Sequence, residues 1–325
     1  MKRFLSATSA VAASLLLAVA PLQASAQAYP TKPVHVIVPF APGGPVDVLG
    51  RVLGQDFAEA WGQPFVIENK VGAAGNIGVD FLAKAMPDGY NIGIVPAGNI
   101  AVNPSLFPSL SYKASELQPV AMLATVENVL VVNPALPVKN LKDLLAMAAA
   151  KPESVSFASP GAGSQAHLAG ELMALNANVR LIHVPYKGTG PALVDVIGGQ
   201  VTMMFGQMSS VLPQIKSGKL RAIGVASLKR SAVLPDVPTI AEQGMPNFEA
   251  VSWYALMVPA ATPKAIVDKL NAESLKMLAK PAIQEKFAGL GLEPGGGTPQ
   301  ALAATIQTET VRWADVIQKK NIKAE

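Results

Sequence analysis

Short β-rich runs alternate with amphipathic helical patterns along most of the chain, and that alternation restricts the fold more than any other feature. The runs are Val34–Pro39, Phe65–Glu68, Ile92–Pro96, Val129–Asn133, Val155–Ala158, Val179–Val184, Val201–Phe205 and Leu220–Ala226. Val46, Leu49, Val52, Leu53, Phe57 and Trp61 recur three and four apart, which puts one apolar stripe on a helix over 45–61. Further helical patterns fall at about 75–86, 139–150, 164–177, 190–198, 208–217, 263–279 and 299–319. Strand–helix alternation predicts parallel sheets, whose strands are buried on both faces and read as continuous apolar runs. Half the residues are apolar and 15% charged, which suits this α/β class.

The N-terminus reads as a secretory leader. Lys2 and Arg3 precede an apolar stretch from Val11 to Ala20, and small residues follow through Ala28. The stretch is about half the ~20 residues that a bilayer-spanning helix needs. Cleavage after Ala26 or Ala28 fits the small-residue rule, and Ala28 is favoured because Tyr29-Pro30 then opens the mature chain. The sequence has no Cys, hence neither a lipidated mature N-terminus nor a disulfide framework. The expected location is therefore the periplasm, free of a lipid tether. Lys and Arg total 26 against 22 Asp and Glu, and Lys2 and Arg3 account for two of the surplus. So small an excess is far too little to imply nucleic-acid binding, and no nucleic-acid partner is expected.

The residues joining strand to helix carry the functional signal. Val38-Pro39-Phe40-Ala41-Pro42-Gly43-Gly44-Pro45-Val46-Asp47 ends a strand, turns on paired glycines and opens a helix with Pro45 near its first position. Ala158-Ser159-Pro160-Gly161-Ala162-Gly163-Ser164-Gln165 repeats the design, with Ser164 placed to cap the helix. Pro185-Tyr186-Lys187-Gly188-Thr189-Gly190-Pro191 is a third such junction, before a helix running toward Asp195. Unpaired N–H groups at a helix start, with the positive end of the dipole behind them, suit a carboxylate. In open parallel sheets these turns gather at the carboxyl ends of strands, so three of them predict a polar cleft. A glycine-rich turn also serves tight packing alone. Asp47 and Arg51, four apart on one helix, fit a surface ion pair as well as a role at the turn. Asp195 fits a solvated helix residue as well as a binding one, and His167 fits an anion donor as well as a packed ring.

Catalytic patterns are missing. The three histidines, His35, His167 and His183, have no zinc-site spacing, and there is no HExxH. Gly161-Ala162-Gly163-Ser164-Gln165 lacks the glycine two residues after the serine that a nucleophile elbow needs. No Walker lysine follows Gly43-Gly44 and no GxGxxG occupies a strand–helix turn, so no cofactor is expected. A periplasmic hydrolase using Ser164 is the enzyme alternative, and no His–Asp arrangement supports it.

End to end, the chain resembles the substrate-binding proteins of tripartite tricarboxylate transporters, the Bug family. The resemblance is carried by Tyr29-Pro30, Val38–Gly44 with Asp47 and Arg51, Glu68-Asn69-Lys70 with Gly72–Gly75, and Pro87-Asp88-Gly89-Tyr90. It continues through Asn103-Pro104, Ser159–Ser164 with His167–Glu171, Val184–Gly188, Gly199-Gln200, Pro235–Thr239 and Trp253-Tyr254 leading to Pro259. It implies a two-lobed α/β periplasmic binding protein of the flytrap type, type II-like, with two crossover hinge strands. Apolar extended runs around Val120–Val132 and Ala250–Val258 suit the crossings. Lobe one would then take 29–124 and 254–325, and lobe two 125–253, after a leader at 1–28.

The resemblance also implies a binding function rather than an enzymatic one. It points to a small carboxylate held by main-chain groups of both lobes, partly through water, and handed to inner-membrane transporter subunits. By position, lobe one contributes Phe40, Ala41, Gly43, Gly44 and Val46, with Asp47 beside them, plus Ala97 and Asn99. Lobe two contributes Ser159, Gly163, Ser164, His167, Thr189 and Gln207, with Asp195 nearby. Where the family commonly has a small polar residue before the aspartate, this chain has Val46, so a hydroxyl contact is lost there. Lys187 is the one basic residue near these loops, which favours a mono- or dicarboxylate over a tricarboxylate; aliphatic, aromatic and amino acids all stay open. A carboxylate sensor docking to a periplasmic sensor domain is the alternative role. Monomer is the expected state.

Overall fold

The computed structural model describes residues 29–186 and 188–323. The expected leader lies outside these residues, as does Lys187. In chain order the elements are β1 (Val34–Val38), α1 (Pro45–Trp61), β2 (Phe65–Asn69), α2 (Asn76–Ala83), β3 (Asn91–Pro96), α3 (Asn103–Leu106), β4 (Leu117–Val126) and β5 (Asn128–Val132). There follow α4 (Leu141–Ala150), β6 (Ser156–Ser159), α5 (Gln165–Ala177), β7 (Ile182–Pro185), α6 (Thr189–Ile197), β8 (Met203–Gln207), α7 (Met208–Lys216) and β9 (Arg221–Val225). The chain closes with β10 (Ser252–Pro259), α8 (Lys264–Leu278), α9 (Pro281–Gly289), β11 (Glu293–Gly296) and α10 (Pro299–Lys320).

The strands form two sheets, one of six in the order β11-β4-β10-β3-β1-β2 and one of five in the order β7-β6-β8-β5-β9. Parallel pairing, the expected kind, joins β1 to β2 and β3, and β6 to β7 and β8. The expectation of parallel sheets is corrected at the crossings. β10 runs antiparallel to β3 and β4, β11 to β4, and β5 to β8 and β9. The chain leaves the six-stranded sheet along β4, enters the other along β5 with only Glu127 between them, and returns along β10, so the outgoing and returning strands run in opposite directions.

The two crossings lie side by side. Asn128 Nδ2 donates to Ala250 O at 2.6 Å, Ala226 N to Asn128 O at 2.8 Å, and Ala250 N to Ala226 O at 2.8 Å. Just beyond, Ser252 pairs with Val126. Strand β1 shows why sheet one is covered on both faces: Val34, Val36 and Val38 enter the core beneath α1, while Ile37 enters the core on the opposite side. The stripe of α1 packs as its spacing requires, with Leu49, Leu53 and Phe57 at most 1% exposed. Truncating Phe57 to Ala would cost about 3–5 kcal/mol through lost burial and the cavity left behind. Helix α10 lies across β4 and reaches α5 of the other sheet's layer, where Lys320 Nζ stands 3.2 Å from Glu171 Oε2.

Candidate functional site

The first turn is built from its aspartate. Gly43, at φ +89°, donates its amide to Asp47 Oδ2 at 3.0 Å. The same carboxylate takes Arg51 Nε at 2.8 Å, Arg51 Nη2 at 3.0 Å and Asn69 Nδ2 at 3.0 Å, and Asn69 also donates to Phe40 O. Asp47 is only 2% exposed, so the surface ion pair is corrected to a buried carboxylate with a guanidinium at its outer edge. The Arg51 hydrogen bonds, aided by the Gly43 amide and Asn69, hold its pKa down to about 2 against the opposing effect of burial. With Gly43 committed to Asp47, the Val46 and Asp47 amides, in the first helical turn, have no partner within α1.

The second turn repeats this arrangement with a histidine. Gly163, at φ +74°, donates its amide to His167 Nδ1 at 3.0 Å. Ser164 is the N-cap, as expected: its Oγ accepts from His167 N, and its own hydroxyl donates to Gly161 O at 2.7 Å. His167 stacks on His183 with ring centroids 3.6 Å apart and planes 7° apart, and His183 Nε2 lies 2.6 Å from Ser159 Oγ. Burial lowers both imidazoles, His167 to about 3 and His183 to about 4, with the neighbouring ring adding to the fall at His167. A neutral ring is what the Gly163 contact demands, because Nδ1 accepts there. The amides of Gln165 and Ala166 are the ones left without an intrahelical partner.

Both helix starts open on one cleft of about 710 Å³ between the sheets. The six-stranded side contributes Phe40, Ala41, Gly44, Val46, Pro96, Ala97, Asn99, Asn103, Leu106 and Phe107. The other side contributes Pro160–Gln165 and Gln207, and the floor is Ser252, Trp253 and Tyr254 from β10. The cleft thus brings together Phe40, Ala41, Gly44, Val46, Ala97, Asn99, Gly163, Ser164 and Gln207 of the residues singled out from sequence. Gly43, Asp47, Ser159 and His167 do not line it; the last three are buried behind the turns.

The third turn departs from expectation. Thr189 lines a neighbouring recess of about 230 Å³ with Asn128, Ser164 and Gln207, and Asp195 lines neither space. Asp195 Oδ2 instead accepts from Tyr186 OH at 2.5 Å, and burial, then the adjacent carboxylate, pushes that phenol up to about 12. The reason is topological: α6 follows β7, the edge strand of its sheet, so its start is displaced from the central cleft. The polar cleft expected from three glycine turns is likewise corrected, since most lining side chains are apolar and the polar ones, such as Asn99, Asn103, Ser164, Gln165, Gln207 and Ser252, are uncharged.

Leu106, Phe107, Trp253 and Tyr254 were not read as site residues. The first two follow a π-helical turn, Gly98–Val102, that no local pattern announced. That turn is held by amides: Asn76 Oδ1 accepts from Asn99 Nδ2 at 3.0 Å, Asn103 Nδ2 at 2.7 Å and Tyr112 OH at 3.1 Å. Trp253 is oriented by Glu309 Oε2, which accepts from its Nε1 at 2.9 Å. Trp253 and Tyr254 could have been found from their place on an expected crossing strand.

Residues 49–322 match the family model described as a tripartite tricarboxylate transporter family receptor. The protein BugT of Bordetella pertussis is 42% identical over 301 residues, covering 92% of each chain. Among solved structures, an R. palustris protein with adipate is 34% identical, covers 91% of this chain and all of its own, and superposes with a TM-score of 0.77. MatC from Rhodopseudomonas palustris with bound malate is also 34% identical, over 89% of this chain and all of its own, with a TM-score of 0.73.

Proposed function

The chain belongs to the tripartite tricarboxylate transporter receptor family, and from that premise we propose that it captures a small carboxylate in the periplasm and delivers it to a membrane transporter of the tripartite kind. Members of the family are receptors and not enzymes. The observation that carries the proposal is that α1 and α5, which follow strands of different sheets, both start on the same cleft. Two dipole ends with unpaired amides attract one anionic group from opposite sides. A carboxylate accepting from amides at Val46 and Gln165, directly or through water, then ties the two halves together.

Such a ligand favours the closed arrangement of two lobes, 29–124 with 254–325 and 125–253, hinged where Asn128 meets Ala250. The closed form is the one the transporter recognises. The R. palustris relative solved with adipate supports the ligand class, and the N-terminal leader pattern supports export.

The test is a thermal-shift screen of the purified protein, first unfolded and refolded to release any carried ligand, against aliphatic, aromatic, amino and tricarboxylic acids. An acid at 100 times its Kd adds about 2.7 kcal/mol and raises the midpoint by roughly 5 °C. A protein shown by extraction to be empty, and shifted by no acid in the panel, would end the carboxylate reading.

A further inference from the structure

Resting on the carboxylate reading, we infer that this cleft selects an acid without an amino group and with an apolar, ring-sized body, and excludes α-amino acids. Among the described residues no Asp or Glu lines the cleft. The nearest acid at the first turn, Asp47, is 2% exposed and already accepts from Gly43, Arg51 and Asn69. An α-ammonium is attached one carbon from the carboxylate, so it is carried into the space before the two helix starts. There it meets the positive ends of both dipoles and no counter-charge, after giving up its water.

Four side-chain donors of the lining are already engaged, while Gln165, Gln207, Ser252 and Tyr254 supply its other polar side-chain groups, all of them uncharged. The Nδ2 groups of Asn99 and Asn103 donate to Asn76, Trp253 Nε1 to Glu309, and the Ser164 hydroxyl to Gly161 O. The largest side-chain surface offered to the body of the ligand is the apolar wall of Phe40, Val46, Leu106 and Phe107. That wall is held in place: a Cβ on Gly75 would stand 3.0 Å from the Phe40 ring, which leaves the ring no room to retreat on that side. The volume of about 710 Å³ accommodates a ring acid with its ordered waters.

A matched pair tests this by isothermal titration calorimetry on the purified, ligand-free protein: 3-phenylpropanoate and L-phenylalanine, which differ only by the amino group, with adipate and citrate alongside. The expected result is that 3-phenylpropanoate binds at least about 100-fold more tightly than L-phenylalanine, the penalty of an unpaired, desolvated charge. L-Phenylalanine within tenfold of its deaminated partner overturns the inference while leaving carboxylate capture intact. Adipate or citrate binding with 3-phenylpropanoate silent overturns the apolar body and again spares the carboxylate reading. Silence from every acid overturns both.

Discussion

His167 Nδ1 accepts the amide hydrogen of Gly163 at 3.0 Å, four residues back, as Asp47 Oδ2 accepts that of Gly43 at 3.0 Å in the other half of the molecule. Two residues with different chemistry thus pin two glycine turns in the same way. Each holds its turn from behind, and the amides of the first helical turn are left to face the cleft. His167→Asn keeps an acceptor near Nδ1 and is expected to bind the identified acid within about threefold of the parent. His167→Leu removes the acceptor and is expected to weaken binding about tenfold, roughly 1.4 kcal/mol for a lost buried hydrogen bond. Calorimetry on both variants checks the contrast, and equal losses would show that ring volume rather than the hydrogen bond matters.

The stacked imidazoles make stability depend on pH. His167 and His183 are lowered to about 3 and about 4 by burial, against 6.5 for an unperturbed ring. Below 6.5 the unfolded chain therefore binds more protons than the folded one, and stability falls as pH drops from about 6.5 toward 4. Urea unfolding at pH 7, 6 and 5 should show this slope, and His183→Gln should flatten it. Asp47 acts in a lower window: its depressed pKa of about 2 stabilises the fold above the ordinary 3.8, and the contribution is lost between 3.8 and 2.

Removing either partner of the Asp47–Arg51 pair has unequal effects. Arg51 is exposed over 55% of its side chain, so Arg51→Ala is expected to cost under about 1 kcal/mol, as solvent-screened pairs do. Asp47→Ala strips the acceptor from Gly43 N and from one bond of Asn69 Nδ2, and is expected to cost about 2–3 kcal/mol. Denaturant midpoints of the two variants test the order. A larger loss for Arg51→Ala would mean that charge, rather than turn support, dominates.

Leu106 and Gly163 meet across the cleft, and a Cβ on Gly163 would overlap Leu106 Cδ2. Gly163→Ala combines that overlap with a backbone at φ +74°, and is expected to destabilise by about 1–2 kcal/mol. The overlap can be separated from the backbone strain with Leu106→Ala, since only the former disappears in the double variant. A double-mutant cycle should give a coupling of at least about 0.5 kcal/mol. A coupling near zero would mean that the two side chains do not stay in contact in solution.

Trp253 is the tryptophan that lines the cleft, whereas Trp61 packs against Phe57 and Phe65 and Trp313 is buried on the inner face of α10. Addition of a bound acid should change intrinsic fluorescence, Trp253→Phe should abolish the change, and Trp61→Phe should leave it. Persistence of the change in Trp253→Phe would place the ligand elsewhere.

Much of this was legible in local pattern. The apolar stripe of α1 located a helix over 45–61 that the structure bounds at Pro45 and Trp61, and Ser164 was readable as a cap. Both depend on residues within a turn or two of one another. Strand β11 and helix α9 were not foreseen. Glu293–Gly296 has no strand character of its own and is extended because β4 offers it an edge.

What the sequence by itself determined is the set of elements and the chemistry at their junctions, because helix period, strand runs and glycine turns are properties of neighbours along the chain. Only the tertiary structure decided which junctions meet. The turns at Gly43 and Gly163 face one cleft, and the turn at Gly188 does not because β7 took the edge of its sheet. Burial likewise turned Asp47 and His167 from candidate contacts into supports behind the turns, and brought Leu106 and Trp253 into the lining. The physical reason is that strand order and burial are set by contacts between residues far apart in sequence, which no local period encodes.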